Sequence, residues 1–340
     1  MRAITYTQNG DPDVLTLGDR KAQAPGRGEV QVRIHRSGVN PTDWKSRRGS
    51  EAGAAVDPPQ VPNQDGSGVV EAVGPGVDES LLGSRVWMWE SAYQRPDGTA
   101  QELALVPTRN IAPLPDNASF DLGASLGVPF MTAHRTLTVT EGGPERLGPG
   151  ALSGRIVLVS GGAGAVGNAA IQLARWADAT VITTISSPDK ANLAARAGAD
   201  HVIDYKTQDV AAEVRRIAPH GVHTVVEVAA AVNAEIDGSV LGPNGSVAVY
   251  ADDGGNPLTL PVRPHMMVNA RWQFVLVYTA PESWKHHAVA DVNAAVTAGA
   301  VDVGEGAGLP LHHYPLEQAA DAHAAVEAGA VGKVLIDVTE

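Results

Sequence analysis

Three glycines, Gly162, Gly164 and Gly167, stand at Gly-x-Gly-x-x-Gly spacing in the segment RIVLVSGGAGAVGNAAIQLARW, residues 155–176. With Ala165 and Val166 between them, they follow a β-branched run and open an Ala/Leu-rich amphipathic one. A strand, a turn and a helix in that order suit a dinucleotide pyrophosphate: glycines allow a tight turn, close approach of backbone to phosphate, and close packing of helix on strand. The helix start adds free N–H groups and the positive end of the helix dipole. A site for NAD usually carries Asp or Glu at the end of the next strand, where it binds the ribose 2′-hydroxyl. Here ATVITTI runs instead into Ser186, Ser187, Pro188, Asp189 and Lys190. Two hydroxyls and an ammonium suit a 2′-phosphate, and Asp189 lies far enough on to start the next helix, so NADPH is the expected cofactor.

Other chemistries are closed off by composition. The 340 residues include no cysteine, which excludes disulfides, thiolate catalysis and cysteine-ligated zinc. The 11 histidines include the pairs His286-His287 and His312-His313. Adjacent residues diverge on a helix or strand, and no carboxylate is spaced with them as a third ligand, so no metal site is expected. A formal net charge of -13 repels nucleic acid and anionic membrane. No apolar run approaches the ~18 residues of a membrane span. The start, MRAITYTQNGDPD, lacks a basic region followed by an apolar core. A cytoplasmic protein with a small-molecule partner is expected.

The elements that must hold these groups follow from the apolar rhythm. A chain 44% apolar and this long is expected to form two domains. Up to about Leu126, short apolar runs such as VQVRIH, GVVEAV and SRVWMW are broken by Gly and Pro, which is a β-rich pattern. NASFDLGASLGVPFMTAHRTLTV has helical spacing behind Asn117 and Ser119. After residue 155, the runs RIVLVS, TVITTI, HVIDY, HTVVEVA and SVAVYA alternate with Ala-rich amphipathic segments, and QFVLVY (273–278) extends the series. Such alternation marks βαβ units on a parallel sheet. Two helical segments, SWKHHAVADVNAAVTAGA and LEQAADAHAAVEAGA, precede a last strand, KVLIDV.

The segments GVNPTDW (38–44), VPNQDGSGVVEAVGPGV (61–77), SRVW, the phosphate loop and YPLEQAADAHAAVEAGAVGKVLI (314–336) occur in the order of the medium-chain dehydrogenase/reductase superfamily. The chain resembles its zinc-free quinone oxidoreductases, the ζ-crystallin group. That resemblance implies an α/β fold in which a GroES-like, β-rich catalytic domain, residues 1–125 and 280–340, is joined to a Rossmann doubly wound parallel sheet, residues 126–279. The positions matching the catalytic zinc ligands of the alcohol dehydrogenases are Asn40, Gln64 and Val128, none a usual ligand. Without a Lewis acid, alcohol oxidation loses its main electrostatic aid, so the implied reaction is hydride transfer from NADPH to a quinone or another conjugated carbonyl. A 2-enoyl or enone reductase, and an NADPH-binding protein without turnover, are the alternatives.

The resemblance further implies roles for particular residues. Asn40 would lie near the nicotinamide, although Asn is also a common turn residue before proline. Asp43 continues the motif or caps a short helix. Lys45 stands where relatives often have Tyr, which leaves the proton source open. Gln64, beside Asp65, would hold the acceptor's oxygen or a water, or belong to a loop network. Thr132 would approach the nicotinamide, and Tyr205 would help hold the 2′-phosphate. Backbone groups around Ala229, Tyr250 and Phe274, Val275 and Leu276 would line the nicotinamide pocket, and Lys333 would be a phosphate partner or a surface lysine. Relatives pair the segment matching RWQFVLVYTA (271–280) across a two-fold axis, so a homodimer is expected.

Overall fold

The computed structural model describes residues 1–339. The chain divides into two compact units, Met1–Val128 with the segment from Leu311 onward, and Pro129–Pro310.

The first unit is organised by one long strand, Glu29–Val39, whose alternate residues Val30, Val32 and Ile34 are fully buried. One edge pairs antiparallel with Asp65–Val73. The other edge is shared: Leu103–Pro107 takes its first half, and Lys333–Asp337, close to the end of the sequence, takes its second half. In this register Gly38 faces Asp65 on one side while Val39 faces Val334 on the other. Residues 38–40, 64–65 and 333 therefore meet at one corner of the sheet. There the helix Pro41–Arg48 begins, with Pro41 at its first position, where a missing N–H costs nothing. Arg85–Met88, Ile111–Pro113 and Leu311–Pro315 extend this sheet to seven strands, and Thr16–Asp19, Arg2–Gln8 and Ala55–Gln60 form a separate small sheet.

A buried histidine makes the stability of this unit depend on pH. His323, in the helix Ala319–Glu327, donates through Nε2 to Asn63 Oδ1 at 2.8 Å. Burial, and secondarily the Arg47 guanidinium, lower its pKa from 6.5 to about 3. The folded state thus holds the ring neutral where the unfolded chain protonates it. This contribution is complete above pH 6.5 and is lost as pH falls toward 3, with a slope of at most ~1.4 kcal/mol per pH unit. Urea melts between pH 7 and 4.5 are expected to show a shallower loss in His323→Gln than in the wild type. Identical slopes would remove His323 from the account.

The second unit is a six-stranded parallel sheet in the order His201–Asp204, Thr180–Ile185, Ile156–Ser160, Val222–Glu227, Leu241–Val249, Arg271–Phe274. Helices such as Ala165–Trp176, Pro188–Arg196 and Ala230–Val240 form the crossovers. Val157, Leu158, Val159, Val225 and Val226 are almost completely buried, as strands covered on both faces require. This is the doubly wound order, with its switch point between Ile156–Ser160 and Val222–Glu227.

Two boundaries differ from the sequence reading. The helix Glu282–Thr297 belongs to the second unit, because its Asp291 receives the Leu147 N–H at 2.7 Å, His134 Nε2 at 2.8 Å and the Arg146 guanidinium. The units therefore change over at Val128 and Pro310 rather than at 125 and 280. The last parallel strand also stops at Phe274. Val275 still donates to Val249 O at 2.8 Å, but its partner strand ends there, and Val277–Thr279 turn as a short 3-10 segment. Arg271–Phe274 is an edge strand with Phe274 and Leu276 exposed. Among the described residues, no helix is long and apolar enough to cross a membrane.

Candidate functional site

The second unit forms an open cradle from backbone alone at the start of the helix Ala165–Trp176. Its left-handed turn falls on Gly161, φ 71°, one residue before the Gly-x-Gly-x-x-Gly run. The run itself serves packing and access. A Cβ on Gly162 would lie 2.2 Å from Thr183 Oγ1 and 2.8 Å from Ile171 Cδ1, and one on Gly167 would lie 2.4 Å from Gly161 O. Gly164 is different: it is exposed, and its added Cβ would meet only Gly161 O, at 3.5 Å. It caps the helix Ala165–Trp176, whose first turn, with Ala165 and Val166, carries N–H groups that the helix cannot satisfy itself.

At the end of the neighbouring strand, Lys190 Nζ donates to Ser186 Oγ at 3.2 Å. Ser187 instead caps the helix Pro188–Arg196 by accepting the Lys190 N–H at 3.4 Å, so one of the two hydroxyls has a structural task. Tyr205 follows the adjacent strand, with its N–H on Ile185 O at 3.1 Å and its side chain 49% exposed. These groups place an ammonium, a hydroxyl and an exposed phenol at adjacent strand ends. Lys190→Ala is expected to weaken NADPH by about 1–3 kcal/mol and NADH far less, because only the former brings a 2′-phosphate. Equal losses in paired titrations would show that Lys190 does not read the phosphate.

The other residues expected near the cofactor are placed unevenly. Thr132 is buried in the helix Phe120–Leu137. The Ala229 N–H is taken by Glu227 Oε1 and its carbonyl by Val232 and Asn233, so its backbone groups are occupied within the protein. Tyr250 donates its N–H to Glu227 O at 3.1 Å, and burial, followed by the charges of Glu227 and Asp253, raises its phenol pKa. Val275 is buried, whereas Phe274 and Leu276 turn their side chains outward. Glu227, which links several of these contacts, did not stand out in the sequence. A single acid ending the apolar strand of HTVVEVA was the only sign of it.

The first unit holds a buried polar cluster at the sheet corner. Lys333, expected to meet phosphate, is 1% exposed, and its Nζ donates to Asn40 Oδ1 at 2.7 Å and Val39 O at 3.3 Å. Its place depends on Gly38, where a Cβ would crowd Lys333 Cε at 3.1 Å and strike Ala124 O at 2.1 Å. Asn40 Nδ2 donates to Asp65 Oδ2 at 2.7 Å, so the amide is oriented from both ends. Asp65 also receives the Val128 N–H, at 3.0 and 2.9 Å to its two oxygens. Asp43 is the third residue of the helix Pro41–Arg48 rather than its cap, and accepts the Asn40 N–H at 2.7 Å and the Gln64 N–H at 3.1 Å.

Electrostatically the cluster is a buried ammonium among two buried carboxyls. Burial pushes the Asp43 and Asp65 pKa values up; N–H donors and Lys333 oppose it at both, and the Asp65 charge adds to it at Asp43. Burial likewise lowers Lys333, against the pull of Asp65 and Asp43. Gln64 joins through its backbone, while its Oε1 accepts the Ala92 N–H at 3.2 Å, which is the loop-network role. Lys45 lies outside the cluster on the exposed helix face, its ammonium 5.8 Å from the Trp44 ring centre. What the corner offers chemically is an amide of fixed orientation, with its oxygen toward a cation and one N–H toward an anion, leaving a single N–H.

Comparison with known proteins supports both units. Residues 26–116 match the alcohol dehydrogenase GroES-like domain family, and residues 165–294 match a family described as zinc-binding dehydrogenase. A quinone oxidoreductase of Homo sapiens is 28% identical over 99% of this chain and 97% of its own. Among solved structures, an NAD-dependent alcohol dehydrogenase superposes with a TM-score of 0.86 at 28% identity, covering 100% of both chains. A mycobacterial protein solved with NADPH gives a TM-score of 0.81 at 29% identity, covering 99% of both.

Proposed function

The chain belongs to the medium-chain dehydrogenase/reductase superfamily, and from that premise we propose that it is an NADPH-dependent, metal-independent reductase of quinones or related conjugated carbonyls. The observation that carries this reading is the open cradle at Gly164 next to the Ser186–Lys190 pair. A dinucleotide phosphate fits there: Gly164 leaves the space a Cβ would fill, the first helical turn supplies N–H groups, and Lys190 supplies the charge a 2′-phosphate needs. The relative solved with NADPH supports the same choice. When bound, the cofactor supplies the hydride, and the protein's part is to orient it and exclude water.

Zinc, which the family description suggests, does not fit the residues present. Asn40, Gln64 and Val128 offer two amides and a hydrocarbon, and the Lys333 ammonium already occupies the Asn40 oxygen. A second cation there would meet like charge in a buried setting. We assign Asn40 instead to the oxygen of the acceptor, through its remaining N–H. The edge strand Arg271–Phe274, with Phe274 and Leu276 exposed beside it, supports a homodimer joined along that edge, to be checked by sedimentation at micromolar concentration.

The deciding experiment follows NADPH oxidation against quinones, enones and enoyl thioesters, and alcohol oxidation in reverse, before and after exhaustive chelation. Turnover of quinones that survives chelation is the expected result. Turnover of enoyl thioesters alone would move the assignment to an enoyl reductase. Bound zinc whose removal ends activity would overturn metal independence.

A further inference from the structure

We infer that Glu227 is a positioning residue that sets the loops carrying the nicotinamide half of the cofactor. The inference rests on the NADPH reading above.

Glu227 ends the fourth strand of the parallel order, Val222–Glu227, and is completely buried. Its two carboxylate oxygens are shared among three separate segments. Oε2 accepts from Ser160 Oγ at 2.5 Å, just before the turn at Gly161. Oε1 accepts the Ala229 N–H at 2.5 Å and Asn233 Nδ2 at 3.0 Å, fixing the loop after the strand and the first turn of Ala230–Val240. Its carbonyl receives the Tyr250 N–H at 3.1 Å, and next to it Val228 O receives the Asp253 N–H at 3.3 Å. Gly254 closes the arrangement, since a Cβ there would lie 2.7 Å from Ala229 O. A nearby buried acid, Asp237, has its pKa raised by burial and then by the Glu227 charge.

The fold says which half of the cofactor this arrangement serves. Ligands of doubly wound sheets lie outside the carboxyl ends of the strands, at the switch point. The pyrophosphate belongs at the helix after Ile156–Ser160, and the 2′-phosphate at the end of Thr180–Ile185, where Ser186 and Lys190 stand. The remaining half must extend the opposite way, over the ends of Val222–Glu227 and Leu241–Val249. Those are the ends Glu227 ties together. The phosphate turn has its own support in the strand ladder, where Ser160 pairs with Thr184, and in the glycine packing of Gly162 and Gly167. The 228–230 loop lies beyond the strand ladder, and its Ala229 N–H is held by the Glu227 carboxylate itself, so it should feel the loss of Glu227 most.

The test compares two probes that share the adenosine half, NADPH and 2′-phospho-ADP-ribose, which lacks the nicotinamide ring. In Glu227→Ala, NADPH affinity is expected to fall about tenfold or more, while 2′-phospho-ADP-ribose changes by no more than about twofold. Glu227→Gln should recover most of the NADPH affinity, because its oxygen can still accept from Ala229 and its amide can donate to Ser160 Oγ. Equal losses for both probes, or no loss for either, would overturn the inference. If Glu227→Ala fails to fold, Asn233→Ala takes its place: a loss confined to NADPH supports the positioning role, and unchanged or parallel affinities refute it. Failure of the wild-type protein to bind either probe would instead overturn the NADPH reading itself.

Discussion

Gly164→Ala is expected to lower NADPH affinity at least ~100-fold, equivalent to ~2.7 kcal/mol, while the protein unfolds within a few degrees of the wild type. The residue has φ -81° and ψ 164°, which alanine adopts without strain, and the added methyl would meet only Gly161 O at 3.5 Å. Folding should register little beyond the poorer helix cap, about 1 kcal/mol or less. The methyl would, however, stand in the open face of the cradle, where phosphate oxygens must approach the first-turn N–H groups. Gly167→Ala provides the contrast. Its Cβ would lie 2.4 Å from Gly161 O and 3.0 Å from two further backbone atoms of the turn, none of which can rotate away. Both binding and stability should suffer there, with stability falling by ~1–3 kcal/mol. Calorimetric titration and thermal melts of the two variants separate the cases. Unchanged NADPH affinity in Gly164→Ala would mean that phosphate does not approach this turn.

Lys333→Met is expected to destabilise the first unit by ~3–5 kcal/mol, because it strands buried carboxylates without their cation. Asp65 Oδ2 lies 4.0 Å from Lys333 Nζ, and both side chains are almost fully buried. The Lys333→Met variant should also acquire a distinctive pH dependence. Burial raises Asp43 and Asp65 in the folded state, and without Lys333 one opposing influence on each is gone. Carboxyls with raised folded-state pKa values favour folding when protonated, so the stability of the variant should fall as pH rises through their titration and recover on acidification. Adding Asp65→Asn removes one stranded charge and should restore part of the loss. Denaturant melts of the single and double variants from pH 5 to 9 check both claims. An additive double variant with a flat pH response would show that Lys333 and Asp65 are not coupled.

Much of the architecture was legible because its causes are local. β-branched runs alternating with amphipathic Ala-rich segments dictate a parallel sheet, and Ser119 does cap the long helix, accepting the Leu122 N–H at 3.1 Å. The glycine run was also readable, since its spacing carries the mechanics, although the left-handed turn belongs to Gly161. The corner cluster was harder. Asn40, Asp43 and Gln64 were marked by their motifs, but nothing near Lys333 in AVGKVLI announces that this lysine is buried. Its burial comes from strand register, and from a glycine 295 positions earlier that leaves it room. Asp65, noted only beside Gln64, proves to be the carboxylate at the centre, because its oxygens rather than the Gln64 amide face Asn40 and Val128. Glu227 is unmarked in the sequence for a similar reason. Its partners Ser160, Ala229 and Asn233 meet only after the strands are ordered.

The shared edge of Glu29–Val39 also bears on how the chain is made. Leu103–Pro107 is available to that edge early, but Lys333–Asp337 leaves the ribosome only after the entire nucleotide-binding unit. At ~5–20 residues per second, the roughly 300 residues between Val39 and Lys333 take about 15–60 s to synthesise. Throughout that interval the nascent first unit has residues 36–39 unpaired on one side and Asn40 without its ammonium, while all six strands of the second unit emerge before the wait is over. The second unit is thus positioned to finish folding first, and the first unit must keep an open strand edge from pairing with neighbouring chains until its last segment arrives. The surplus of acidic residues, 38 against 25 basic ones, adds like-charge repulsion between such chains.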